Sequence, residues 1–235
     1  MWNEATPQQR ALVTGSSSGI GLAIVRRLLA NGWQVVGIDI APTEFEHPCF
    51  VHHTADLRDP AATATATRAA GTLQALVHAA GVLRVAPLGA MRPEDASLMW
   101  QLHVEAISRI ANIVLPAMQL QGSGRMVMIG SRVAHGMAGR SQYAATKAAL
   151  ISLARSWGAE TVASGVTVNV VSPAATETAM LTDPVRTKVP PKLPPLGRLI
   201  QPQEIAALVA FLLSADAAAI TGQDIQICGG ASLAA

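Results

Sequence analysis

The sequence predicts an α/β fold, a single-domain, doubly wound parallel sheet of about seven strands with helices on both faces. Three observations predict it. Short apolar runs alternate along the chain with longer helix-forming stretches, the pattern of repeated βα units. The first apolar run ends in the glycine-rich turn Thr14-Gly15-Ser16-Ser17-Ser18-Gly19-Ile20-Gly21, directly ahead of a helical pattern. Half of the 235 residues are hydrophobic and only 14% are charged, so a large core can form and a folded chain is expected.

The elements follow in order. Residues 11–14 are a compact apolar run, and 20–30 place apolar residues at helical spacing. Residues 34–40 are β-branched and apolar, and 50–54 form a weaker strand. The Ala- and Thr-rich stretch 60–70 opens on Pro60, suited to a first helical turn. A short buried strand at 75–78 precedes one or two helices within 93–120. Residues 124–129 read as a strand, 142–164 as a long helix and 166–171 as a β-branched strand of period two. A helix at 202–213 and a strand at 224–227 complete the pattern. No fixed-period repeat or Gly/Ser linker divides the chain, so residues 1–235 are read as one domain. The Pro- and Thr-rich stretch 179–195 is too long for an ordinary connection and reads as a substrate loop inserted in that domain.

Composition excludes several classes. A net charge of +2 with scattered Lys and Arg argues against a nucleic-acid partner. The most apolar helix-like stretch, 205–213, is too short to span a bilayer, and the first ten residues lack an apolar signal core. A soluble, cytoplasmic protein without a membrane partner is expected. Cys49 and Cys228 show no zinc-ligand spacing, so two free buried thiols and no metal site are expected.

The turn at 14–21 carries the first functional signal. Glycines permit positive φ and close approach of backbone to a ligand, and the helix behind them offers free N–H groups and partial positive charge. A pyrophosphate suits that position. Asp39 ends the second strand about twenty residues on, where a carboxylate can accept bonds from ribose hydroxyls and repel a 2′-phosphate. No Lys or Arg occupies 16–18. Both features favour NAD over NADP.

Tyr143 and Lys147 carry the second. Four residues apart near the start of a helix, they share one face. An ammonium near a phenol favours the phenolate, and such a phenol can exchange a proton with an alcohol/carbonyl pair while hydride moves. Tyr143 is the only tyrosine of the chain.

The string 14–21, then His78-Ala79-Ala80-Gly81, Ser131, Tyr143 to Lys147, and Asn169-Val170-Val171-Ser172-Pro173, resembles the short-chain dehydrogenase/reductase family over about residues 9 to 231. The resemblance implies a Rossmann-like sheet and a homotetramer, with helices near 100–120 and 142–164 at the interface. It implies that Tyr143 is the acid/base, that Lys147 holds the nicotinamide ribose and lowers the tyrosine pKa, and that Ser131 bonds the substrate oxygen. The cofactor-binding set it implies is Gly15, Ser17, Ser18, Gly19, Ile20, Gly21, Asp39, Asp56, Leu57, Ala79, Ala80, Gly81, Tyr143, Lys147, Pro173, Thr176 and Thr178. Asp56 matches an adenine-contacting acid, and Ile20 and Thr178 match positions near the nicotinamide.

The chain departs from that pattern at four places. His78 replaces an asparagine ahead of Ala79, and Ala174 replaces the glycine after Pro173. Ser131 precedes Tyr143 by twelve residues, one fewer than usual. His103 stands where the family has the asparagine that binds a water linking the lysine to solvent, so it is a candidate proton relay titrating near neutral pH. His135 is a candidate for the pocket wall, and His47, His52 and His53 read as solvent-facing or strand-end residues. Arg84, Arg132 and Arg140 are candidate carboxylate contacts. The strings 79–84, 195–198 and 201–205 resemble the 2,3-dihydro-2,3-dihydroxybenzoate dehydrogenase branch, which oxidises an acidic cyclic diol. The expected activity is NAD(H)-dependent interconversion of a secondary alcohol and a ketone, the small-molecule partner. A weakened NAD-binding sensor and a 3-oxoacyl-thioester reductase stay open beside it.

Overall fold

The computed structural model describes residues 9–181 and 193–233. Seven strands make one parallel sheet in the order β3-β2-β1-β4-β5-β6-β7. They are β1 (Arg10–Thr14), β2 (Gln34–Asp39), β3 (Phe50–Thr54), β4 (Ala75–His78), β5 (Gly124–Ile129), β6 (Val166–Pro173) and β7 (Asp224–Ile227). The helices are α1 (Gly19–Ala30), α2 (Pro60–Ala69), α3 (Pro93–Trp100), α4 (Ala106–Gln121), α5 (Ser141–Thr161) and α6 (Pro202–Leu212).

The alternation of side chains along each strand builds two cores. Leu12, Leu76, Met126, Val168 and Val170 face α2, α4 and α5. Ala11, Val13, Val77, Val127 and Val171 face α1 and α6. Both faces are covered, which is why the strands carry continuous apolar runs. In β6 every residue is buried, and its period-two appearance does not mark a solvated face. That strand continues two residues past the predicted end, because Ser172 and Pro173 still pair with Gln226 and Ile227.

The predicted helical stretch 93–120 is two helices joined by a π-helical turn, Gln101–Glu105. Pro116 lies inside α4 without ending it. The long helix stops at Thr161, and a 3-10 turn, Val162–Ser164, leads to Gly165 at φ +72°. Most of the predicted substrate loop, residues 182–192, lies outside the described residues. Ala179–Leu181 is a 3-10 turn. Cys49 and Cys228 are free but half-buried, not fully buried as expected, because each lies just beyond a strand end. No helix among the described residues is long and apolar enough to cross a membrane.

The chain builds β1, β2 and β3 outward, then returns so that β4 pairs on the other side of β1. The order reverses there, and a crevice opens at the carboxyl ends of the strands. Thr14, Asp39, His78, Ile129 and Pro173 all lie at those ends. The candidate site is built there.

Candidate active site

A cavity of about 420 Å³ runs over the glycine-rich turn. Gly15, Ser18, Gly19, Ile20, Gly21, Asp39, Asp56, Leu57, Ala79, Ala80, Gly81 and Thr178 line it, which brings most of the predicted cofactor set together. Gly15 has φ +70°, and a Cβ there would meet the Ala80 backbone at 2.7 Å. A Cβ at Gly21 would overlap the Gly15 carbonyl oxygen. The turn therefore closes tightly on the loop after β4. Ser18 precedes α1 without a side-chain cap, and no acid sits in the first turn. The helix N-terminus thus points uncancelled positive potential into the cavity. These features fit a pyrophosphate.

Asp39 is fixed at the far end. Its carboxylate accepts from the Ser17 N–H and the Ala41 N–H, both at 3.0 Å. The Ser17 N–H holds Asp39, and the Ser17 hydroxyl donates to the Ala41 carbonyl. His52, read from sequence as a strand-end residue, reaches that hydroxyl at 3.1 Å. Asp56 is gripped by Arg58 at 2.6–3.0 Å, and this guanidinium holds its carboxyl below the usual range. Sequence reasoning missed Arg58, whose only signal was its place two residues after Asp56.

A second cavity, of about 340 Å³, adjoins the first. The two share Ile20, Ala79, Gly81, Val82 and Thr178. Ser131, Tyr143, Lys147, His103, Pro173 and Thr176 line the second. Ser131 follows β5, and its Oγ accepts from the Val133 N–H at 3.2 Å, which leaves its own proton to be donated. Tyr143 and Lys147 lie one turn apart on α5, with Nζ 5.8 Å from the ring centroid. Nζ donates to the Ile129 carbonyl at 2.8 Å, which anchors the lysine to the end of β5. Burial lowers the Lys147 pKa to about 7.

His103 lies where the sequence placed it, but its nitrogens are engaged. Nε2 accepts from the Val82 N–H at 3.0 Å. Nδ1 therefore carries the proton and donates to Thr146 Oγ1 at 2.8 Å. That hydroxyl donates in turn to the Tyr143 carbonyl. The ring packs edge-on against Tyr143, with centroids 5.7 Å apart. The expected titration near neutrality is corrected: burial, Lys147 and His78 push the His103 pKa well below 6.5. The π-helical turn, invisible in the hydrophobic pattern, carries this ring; such bulges gather at functional sites.

His78 is wholly buried, and its Nδ1 bonds Thr14 Oγ1 at 2.8 Å. Its Nε2 is buried and faces the backbone of Leu102 and His103. Burial, with the Lys147 charge, lowers its pKa to about 3. Both imidazoles fold neutral, whereas in the unfolded chain they titrate near 6.5. The unfolded chain then binds more protons below that pH, so stability present above 6.5 is lost as pH falls towards about 3. Urea midpoints at pH 7, 5.5 and 4 are expected to fall less steeply in a His78→Asn/His103→Asn protein. An unchanged slope would assign the acid sensitivity to other groups.

Two expectations are not met around this cavity. His135 is exposed and contacts Gln226 at 3.0 Å, away from the wall. Arg84 turns toward Asp95 at 3.6 Å and lines the first cavity, not the second. Arg132 and Arg140 do line the second.

Residues 15–232 match a family model described as enoyl-(acyl carrier protein) reductase. The chain is similar to the 3-oxoacyl-(acyl-carrier-protein) reductase FabG of Vibrio cholerae serotype O1, at 36% identity over 236 residues, covering 94% of this chain and 96% of that one. It is equally similar, at 36% over 240 residues, to the 2,3-dihydro-2,3-dihydroxybenzoate dehydrogenase of Escherichia coli strain K12, with 95% and 96% covered. A solved structure described as a short chain dehydrogenase/reductase family protein matches with a TM-score of 0.86 at 33% identity, over 96% of this chain and 98% of that one. With the sheet order, the site and these likenesses in agreement over most of its length, the chain belongs to the short-chain dehydrogenase/reductase family of oxidoreductases.

Proposed function

We propose that this protein is an NAD(H)-dependent enzyme that interconverts a secondary alcohol and a ketone by hydride transfer, working in the cytoplasm as a homotetramer. The observation that carries the reading is the convergence of Ser131, Tyr143 and Lys147 on one cavity that opens into the cleft over the glycine-rich turn. A sensor that only bound the cofactor could use the cleft and Lys147, but would have no need of Ser131 and the Tyr143 hydroxyl together on the substrate side.

The turn from Gly15 to Gly21 and the first turn of α1 would hold the pyrophosphate, Asp39 the adenosine ribose, and Ile20, Gly81 and Thr178 would flank the nicotinamide. The nicotinamide, when bound, supplies hydride acceptance or donation. The protein moves the proton. Ser131 donates its hydroxyl hydrogen to the substrate oxygen and orients it. Tyr143 Oη takes the alcohol proton in oxidation and returns it in reduction. Lys147, anchored to Ile129, holds its amine beside the phenol and, when protonated, favours the phenol's ionised form. His103 ties Val82 and Thr146 together and sets the ring of Tyr143. A screen of secondary alcohols and cyclic diols with NAD, read by NADH absorbance, tests the activity. No NADH with any of them would count against it.

NAD is expected to bind at least about tenfold more tightly than NADP, since a 2′-phosphate beside the Asp39 carboxylate is a like-charge contact. Titration of tryptophan fluorescence with both cofactors measures this, and Asp39→Ser should narrow the gap. Equal affinities in the unaltered protein would overturn the preference. The homotetramer follows from the family resemblance, and the helices it would use, α4 and α5, enclose a groove lined by Leu115, Leu153 and Trp157 together with Arg109, Asn112 and Glu160. Light scattering on the purified protein tests it.

A further inference from the structure

We infer that the substrate carries a carboxylate close to its reacting carbon, seated on the guanidinium groups of Arg132 and Arg140. This deepens the oxidoreductase reading and rests on it. Both arginines line the cavity that holds Ser131 and Tyr143. Arg132 directly follows Ser131, and its Nη1 is pinned by the Ala231 carbonyl at 3.3 Å. Its Nε is buried without a hydrogen-bond partner among the described residues. Arg140 is half-buried at the N-cap of α5, one helical turn before Tyr143.

The two charges work against each other. Burial lowers the Arg140 pKa; the Tyr143 phenol opposes that shift, and the Arg132 charge adds to it. Among the described residues neither arginine has an Asp or Glu ion-pair partner. Arg58 and Arg84, on the adjoining cavity, are paired with Asp56 and Asp95. A buried cation without a partner is costly, and so is an unsatisfied buried N–H. A ligand carboxylate would relieve both costs, since guanidinium forks match its two oxygens. The N-terminus of α5 adds favourable potential at the same place.

Position narrows the chemistry. One arginine adjoins Ser131 and the other lies a turn from Tyr143, so the anion sits beside the oxygen those residues hold. A 3-oxoacyl thioester is uncharged at that point, its phosphate lying at the far end of the carrier arm. An alcohol or ketone on a small ring or short chain that also bears a carboxylate fits both the charge and the 340 Å³ of space.

The test uses benzoate and benzamide as probes of the protein saturated with NADH, by titration calorimetry. Benzoate is expected to bind at least about tenfold more tightly than benzamide. Arg132→Gln and Arg140→Gln should each weaken benzoate about tenfold, leaving benzamide and NADH affinities unchanged. Unchanged NADH affinity also shows that the variants fold. Equal binding of the two probes, binding of neither, or benzoate affinity indifferent to both substitutions overturns the inference. Turnover separates this failure from that of the parent reading. Neutral alcohols oxidised as fast as acidic ones would remove the carboxylate seat and keep the dehydrogenase. Benzoate binding through both arginines, without Tyr143-dependent NADH formation from any acidic alcohol, would keep the seat and remove the dehydrogenase.

Discussion

Tyr143→Phe is expected to lower turnover by about 10²–10⁴-fold, the range for loss of a general acid–base group, with NADH affinity unchanged. The substitution removes one oxygen and little else. The edge-on contact with His103 belongs to the ring, and the bond from Thr146 goes to the backbone carbonyl. Lys147 Nζ keeps its anchor on Ile129. Steady-state rates and an NADH titration on the same preparation separate chemistry from binding. Near-normal turnover would place the acid/base on another residue.

The sheet was legible because both of its faces are covered, so β1, β2 and β4 read as unbroken apolar runs ending at chemically distinctive residues. The Tyr143–Lys147 pair was legible because helix periodicity places residues four apart on one face. Three features were not legible, each for a physical reason. The π-helical turn at Gln101–Glu105 adds a residue to a helical turn without altering the apolar pattern enough to read, and it carries His103 inward. The engagement of both His103 nitrogens depends on Val82 and Thr146, 21 and 43 residues away. Arg84, Arg132 and Arg140 looked alike in sequence. What separates them is Asp95, whose place near Arg84 is a consequence of how α3 packs.

Lys147→Met is expected to lower turnover by about 10²–10³-fold, the cost of removing one preorganised electrostatic partner. It should also move the pH dependence. The ammonium is present in the folded protein chiefly below about pH 7, so the loss of rate should be largest there and shrink as pH rises. Activity alone could be lost through a distorted site, and the stability profile of the cofactor-free protein supplies an independent reading. Burial holds the Lys147 pKa at about 7, below the 10.5 of an unburied lysine. Between those values the unfolded chain binds the extra proton, so stability rises with pH across that window. Below about pH 7 both states are protonated and the cost of the buried charge is fully present. Methionine keeps most of the volume and has no charge to bury, so its stability lacks this rise. The difference between the two proteins should therefore move in favour of the lysine form from pH 7 to pH 10. Urea midpoints at pH 6, 8 and 10 measure it, since a pH-independent difference would mean that Lys147 is not buried as a titrating amine. The charge that costs the folded chain stability is the one that steadies the Tyr143 phenolate, so the turnover loss and the missing pH rise should appear together in the methionine variant.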